Sequence, residues 1–112
     1  MQSERNKAKR ILQELIGYYF SHNIDDLDIN LHCTDKEFVI ILTGKTPTEP
    51  SDLKQLKEIL NSPRQPEVEE YYWQLLGVSN EKHELNLVGS LVDAAEVTFD
   101  KDILKIIVFR KK

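Results

Sequence analysis

Residues 26–42 read DLDINLHCTDKEFVIIL, and the prediction of the fold begins with their pattern. In its first half apolar residues alternate with polar ones, and a period of two predicts a half-buried strand. The alternating apolar residues are Leu27, Ile29, Leu31 and Cys33. A polar turn at 34–37 then leads into 38–42, which is apolar on both faces. The pattern predicts a β-hairpin.

The same arrangement recurs near the end of the chain, where residues 95–109 read AEVTFDKDILKIIVF. An alternating strand is followed by a short polar turn at 100–102 and by a strand that is apolar on both faces. Strands with two apolar faces need cover on both sides, whereas alternating strands can show one face to water. Strands two and four therefore belong in the centre, and the predicted strand order is 1-2-4-3.

Between and before the hairpins the apolar spacing changes to that of helices. Residues 3–22 form the clearest predicted helix, closed by Asn23 in a left-handed conformation with Ile24 packing back. Short helices are predicted over 51–61 and 66–76. Segment 79–92 fits both helix and strand spacing, and helix is favoured. The prediction is one α+β domain spanning 1–112, a mainly antiparallel four-stranded sheet with three or four packed helices.

Composition favours a globular protein. The chain has 112 residues, 40% apolar and 30% charged, with a net charge of −4. An acidic domain is a poor default binder of nucleic acid or anionic membrane, because both are polyanions. A single cysteine cannot form an internal disulfide, and the longest apolar run is too short to cross a bilayer. We expect a cytoplasmic protein that has no membrane association.

The sequence lacks the common motifs for phosphate-binding and metal-binding sites. No phosphate-binding glycine loop, HExxH or paired CxxC pattern is present. His32 and Cys33 are neighbours on a predicted strand, so they point to opposite faces and do not readily share a metal. Cys33 is expected to be buried and unreactive. We therefore expect no catalytic residue, no metal site and no cofactor.

Exposed carboxylates and aromatic side chains supply the candidate surface residues. The acidic surface candidates on the outer faces of strands one and three are Asp26, Asp28, Glu96 and Asp100. Two aromatic clusters occur at 18–20 and 71–73. Trp73 lies roughly 120° from the apolar stripe of its predicted helix, so we expect it either to pack on a second layer or to contact a partner. The candidates for partner contact are Trp73, Tyr71 and Tyr18.

These observations favour a non-catalytic accessory or regulatory protein that acts by protein–protein contact. A homodimer is expected, because the helices can cover one sheet face and the second would stay apolar. The competing expectation is a monomer in which helices flank both faces. In the expected arrangement Phe38, Ile40 and Leu42 share a face with Ile103, Ile107 and Phe109, and the register between the strands stays open. One alternative is a small enzyme or ligand-binding protein with an acidic pocket. A second alternative is weak nucleic-acid binding through the basic termini, 5–10 and 110–112.

Overall fold

A computed structural model describes residues 4–61, 88–89 and 91–111. In chain order the elements are α1 (Glu4–Ser21), β1 (Leu27–Cys33), β2 (Glu37–Lys45), α2 (Leu53–Leu60), β3 (Ala94–Asp100) and β4 (Ile103–Lys111). The four strands form one antiparallel sheet in the order β1-β2-β4-β3. The α+β class and the predicted strand order are thus confirmed.

The described residues contain two helices, α1 and α2, and not the three or four that were predicted. The helix predicted over 66–76 lies outside the described residues. Within 79–92, Val88, Gly89 and Leu91 are described with helical backbone. The predictions of the first and second helices are accurate, because both have a clear apolar stripe and residues that end them.

The end of α1 follows the prediction closely. Asn23 adopts φ 61°, the left-handed conformation that closes a helix. The Ile24 N–H donates to the Tyr19 carbonyl and the Asn23 N–H donates to the Phe20 carbonyl, each over 3.0 Å. This pair of bonds is a Schellman motif. It turns the chain so that Ile24 is buried and β1 begins beside the helix.

The core lies between the helices and one face of the sheet. α1 packs over β2 and β4, and α2 packs beside β3. The largest fully buried apolar side chains are Tyr18, Tyr19, Phe38, Ile11, Leu15, Ile24, Ile40, Leu42, Leu60 and Leu91. At the far end of α1, Glu4 pairs with Arg110 of β4 at 3.3 Å, and Arg110 also donates to the Leu91 carbonyl. The start of α1 is therefore fixed to the end of the last strand.

The grouping of apolar residues on the two faces of the central strands differs from the expected one. Phe38, Ile40 and Leu42 face Arg110, Val108 and Ile106 across the ladder. Because directly paired residues share a sheet face, the buried face carries Leu104, Ile106 and Val108. Ile103, Ile107 and Phe109 lie on the opposite, open face instead. A strand that is apolar on both faces does not reveal from its sequence which face is buried, and the expected grouping was wrong.

The prediction that Cys33 is buried was also wrong, since the thiol is exposed. Cys33 does share its sheet face with buried Phe38, as the alternation predicted. A helix is about 10 Å wide and strands are about 4.8 Å apart, so one helix covers roughly two strands. With α1 over β2 and β4, the far part of β1 is left beyond its reach.

Candidate functional site

The most exposed apolar part of the sheet is the strand β1. Ile29 and Leu31 are 41% and 40% exposed, and Cys33 follows on the same face. We call this strand, with its side chains and the backbone edge that faces away from β2, the β1 edge. Its beginning is better covered, because Leu27 packs near Ile24 and Gly44. The β1 edge is where the described part of the chain presents large apolar side chains in a continuous row.

Half of the backbone groups of the β1 edge point away from β2 and have no strand beside them among the described residues. The Thr34 N–H donates to the Glu37 carbonyl at 2.8 Å, so Thr34 points its backbone polar groups towards β2. In an antiparallel ladder this orientation alternates along the strand. The N–H and C=O groups that point away from β2 therefore belong to Leu27, Ile29, Leu31 and Cys33. These groups form the outer edge of the sheet as the described residues build it.

The β1 edge carries few of the features that protect edge strands from pairing. Its sequence, LDINLHC, has no proline, lysine or arginine. It pairs with β2 residue for residue without a bulge. Native edge strands are commonly protected by such residues, by bulges or by a covering element. A seven-residue strand that has neither these residues nor a bulge is a suitable surface for the addition of another strand.

The opposite edge of the sheet is protected. α2 packs beside β3, and the Ala95 N–H donates to the side-chain oxygen of Asn61 at 3.1 Å. Asp93 lies just before β3, and its carboxylate accepts the N–H of Lys111 at the end of β4. Within the part of the chain that the structure describes, the two edges of this sheet are therefore unequal, and β1 is the more accessible of the two.

The open face of the sheet is mixed in character. Val39, Ile41, Ile107 and Phe109 form a half-buried apolar stripe along its centre. Among the acidic candidates, Asp28, Glu96 and Asp100 are exposed on this face, and Asp26 is exposed just before β1. A shallow hollow at one end of the face is lined by Asp26, Asp28, Thr43, Gly44, Lys45 and Ile103. The structure thus brings Asp26 and Asp28 together and places Glu96 on the opposite edge strand.

The aromatic candidates for partner contact have different outcomes. Tyr18 is buried in the core, so its ring is not available to a partner. Tyr71 and Trp73 lie outside the described residues. The exposed aromatic residue of α1 is Phe20, at 53% exposure, and the sequence interpretation missed it. Helical spacing from Ile11 and Leu15 leads to Tyr18 and not to Phe20, so that signal could have distinguished the two.

A polar cluster joins the end of α1 to the start of α2. The Tyr18 hydroxyl donates to Asp52 at 2.8 Å, and His22 lies 3.4 Å from the same carboxylate oxygen. The Tyr18 and His22 rings are 4.6 Å apart. Burial, together with the hydrogen bond to Asp52, raises the pKa of Tyr18 above its usual value. A phenol held in its neutral form is a poor base, so the cluster is better suited to fastening the helices than to proton transfer.

No protein-family model, curated protein or solved structure matches this chain.

Within the described ranges, no group of three His, Cys, Asp or Glu side chains is placed to hold a metal ion. Nor do those ranges contain a helix that is long and apolar enough to cross a membrane. The basic termini do converge at one end of the fold, but Lys7 and Arg110 are buried and paired with Glu4. Two of the cations proposed for nucleic-acid binding are therefore engaged within the fold.

Proposed function

We propose that this protein is a non-catalytic accessory or regulatory protein that acts by protein–protein contact through the β1 edge. One observation carries the proposal: an edge strand with outward backbone groups also presents Ile29 and Leu31 at about 40% exposure. Main-chain hydrogen bonds supply affinity in strand addition, and alternate side chains supply specificity. We also propose a cytoplasmic location, which suits the single exposed thiol.

The test is a comparison of surface variants in affinity capture from native lysate. Ile29→Lys/Leu31→Lys places charges on the β1 edge, where strand addition would bury them. Glu96→Lys/Thr98→Lys is the matched control, because it places two lysines on the exposed face of the other edge strand. We expect a captured protein to be lost with the first variant and retained with the control. Capture that is equal for both variants would refute a contact through β1.

The shallow hollow at one end of the open sheet face supports a second candidate function, the binding of a small ligand or substrate. Asp26 and Asp28 line it together with Lys45, so it offers both signs of charge. Asp26→Asn/Asp28→Asn should then abolish a ligand-induced rise in melting temperature across a panel of metabolites. If no compound in the panel raises the melting temperature of the wild-type protein, this second candidate is set aside.

A further inference from the structure

We propose that β1 pairs antiparallel with the β1 strand of a second copy, around a two-fold axis at Asn30. The four-stranded sheets of the two copies would then join at their β1 edges into one continuous sheet. This inference rests on the proposed function and names the partner for the same edge. It places the dimer contact on the edge strand and not on the open sheet face.

The backbone groups of β1 are arranged symmetrically about Asn30. The outward-pointing residues are Leu27, Ile29, Leu31 and Cys33, two on each side of it. An axis at Asn30 places Ile29 opposite the second copy's Leu31, and Leu27 opposite its Cys33. Each outward N–H then meets a carbonyl of the other copy, as an antiparallel ladder requires. Among the possible two-fold axes, the one at Asn30 pairs all seven residues of the strand.

On the face of the sheet that the helices cover, the apolar side chains of the two β1 strands would lie opposite one another. Ile29 and Leu31 are the exposed apolar residues of the strand, and this pairing sets each against the other. Directly opposed apolar side chains in a ladder stabilise the pairing of the two strands relative to alanine. Apolar surface that α1 does not reach would thus be covered by the same surface of the second copy. An isologous contact of this kind closes after two copies and does not extend into a filament.

The polar side chains of β1 also favour a two-fold axis at Asn30. On the open face β1 carries Asp28, Asn30 and His32. The axis at Asn30 places Asp28 opposite the second copy's His32 on both sides of the axis, and the two Asn30 amides face each other. An amide has donors and an acceptor, so it can pair with its own copy. Moving the axis to Asp28 would oppose two carboxylates, an unfavourable arrangement.

Charge exchange tests the pairing. His32→Asp opposes two carboxylates on each side of the axis, and Asp28→Lys/His32→Asp restores an attractive pair at each position. At pH 7.5 the wild-type protein should sediment at twice the 13.1 kDa of one chain. We expect His32→Asp to weaken the dimer roughly tenfold or more, from like charges at two symmetric positions, and the double variant to recover it. Glu96→Lys, on β3, is the control and should leave the dimer unchanged.

Disulfide trapping tests the register. Asn30 would form a non-hydrogen-bonded pair with itself, with Cα atoms about 4.5 Å apart, which is within disulfide range. In a Cys33→Ser background, Asn30→Cys should cross-link under mild oxidation, whereas Asp28→Cys and His32→Cys should not. Equal cross-linking of all three variants, or a dimer that none of them traps, would overturn the proposed axis.

The outcomes separate this inference from the proposed function. A protein that stays monomeric, yet loses a captured partner with Ile29→Lys/Leu31→Lys, would overturn the self-pairing and leave the contact function standing. A dimer that follows the charge exchange and traps at Asn30, with no other protein captured through β1, would support the self-pairing. It would remove the support for a contact with a different protein.

Discussion

At the scale of single residues, two glycines permit close approaches that hold the layers together. A Cβ atom built at Gly89 would lie 1.9 Å from the carbonyl oxygen of Ile59 at the end of α2. One built at Gly44 would lie 2.7 Å from Ile24 Cγ2 and 2.9 Å from the Tyr19 ring. The obstacle is backbone in the first case and side chain in the second. Backbone within a packed helix gives way less readily than side-chain atoms.

This contrast predicts that Gly89→Ala destabilises the protein more than Gly44→Ala does. We expect Gly89→Ala to lower the free energy of unfolding by about 1–3 kcal/mol, the usual cost of overpacking. Gly44→Ala should cost less, because its obstacles are side-chain atoms and not backbone, and because alanine suits a strand better than glycine. Urea denaturation of the two variants measures both values. A larger loss for Gly44→Ala would show that Gly89 does not pack against α2 in this way.

At the scale of elements, Asn61 links the end of α2 to the start of β3. Its side-chain nitrogen donates to the Lys57 carbonyl at 2.9 Å, and its oxygen accepts the Ala95 N–H at 3.1 Å. One side chain thereby ends a helix and occupies an outward N–H group of an edge strand. Because Asn61 and Ala95 are far apart in sequence, no local sequence pattern could have predicted their hydrogen bond.

We expect Asn61→Ala to lower the free energy of unfolding by about 1 kcal/mol, the net value of a typical hydrogen bond. The sharper readout is local, because the Ala95 amide should lose its partner and exchange its hydrogen faster with solvent. Gln55→Ala, at an exposed position of the same helix, is the control and should leave that exchange rate unchanged. An unchanged exchange rate in Asn61→Ala would mean that the Ala95 amide is protected by another group.

The order of the strands could be predicted from the sequence, whereas contacts that depend on where the helices lie could not. Alternation in 26–33 and two-sided apolar runs in β2 and β4 sufficed for the strand order, because burial determines which strands need cover on both sides. Burial of Cys33 could not be deduced, because it depends on where α1 lies and not on the face that the residue shares. The Tyr18–Asp52–His22 cluster is likewise invisible in the sequence. Its members lie at the end of α1 and just before α2, and these two places meet only in the folded chain.

At the scale of the whole molecule, Tyr19 joins α1 to both central strands. Its hydroxyl lies 2.9 Å from the Leu104 carbonyl of β4 and 3.1 Å from the Leu42 carbonyl of β2, and its side chain is fully buried. Burial raises the pKa of this phenol well above its ordinary value of 10.0. The folded protein therefore keeps Tyr19 protonated at a pH where the unfolded chain releases the proton.

This linkage predicts a loss of stability in alkali. A phenol whose pKa is raised by folding gives its full stabilisation below pH 10, where the folded and unfolded chains are both protonated. As the pH rises beyond 10, the unfolded chain binds fewer protons than the folded one, so the free energy of unfolding falls. At pH 11 the loss from one such phenol is about 1.4 kcal/mol relative to pH 8. Urea denaturation across pH 8–11 measures the decline.

Tyr19→Phe isolates the contribution of this phenol. The variant should be less stable than wild type at pH 8, because the Leu42 and Leu104 carbonyls lose a donor. Its further loss between pH 8 and 11 should be smaller than that of wild type by about 1.4 kcal/mol, since phenylalanine has no proton to release. The two stability curves should therefore converge in alkali. Parallel curves would contradict the argument, because they would mean that Tyr19 ionises equally readily in the folded and the unfolded chain.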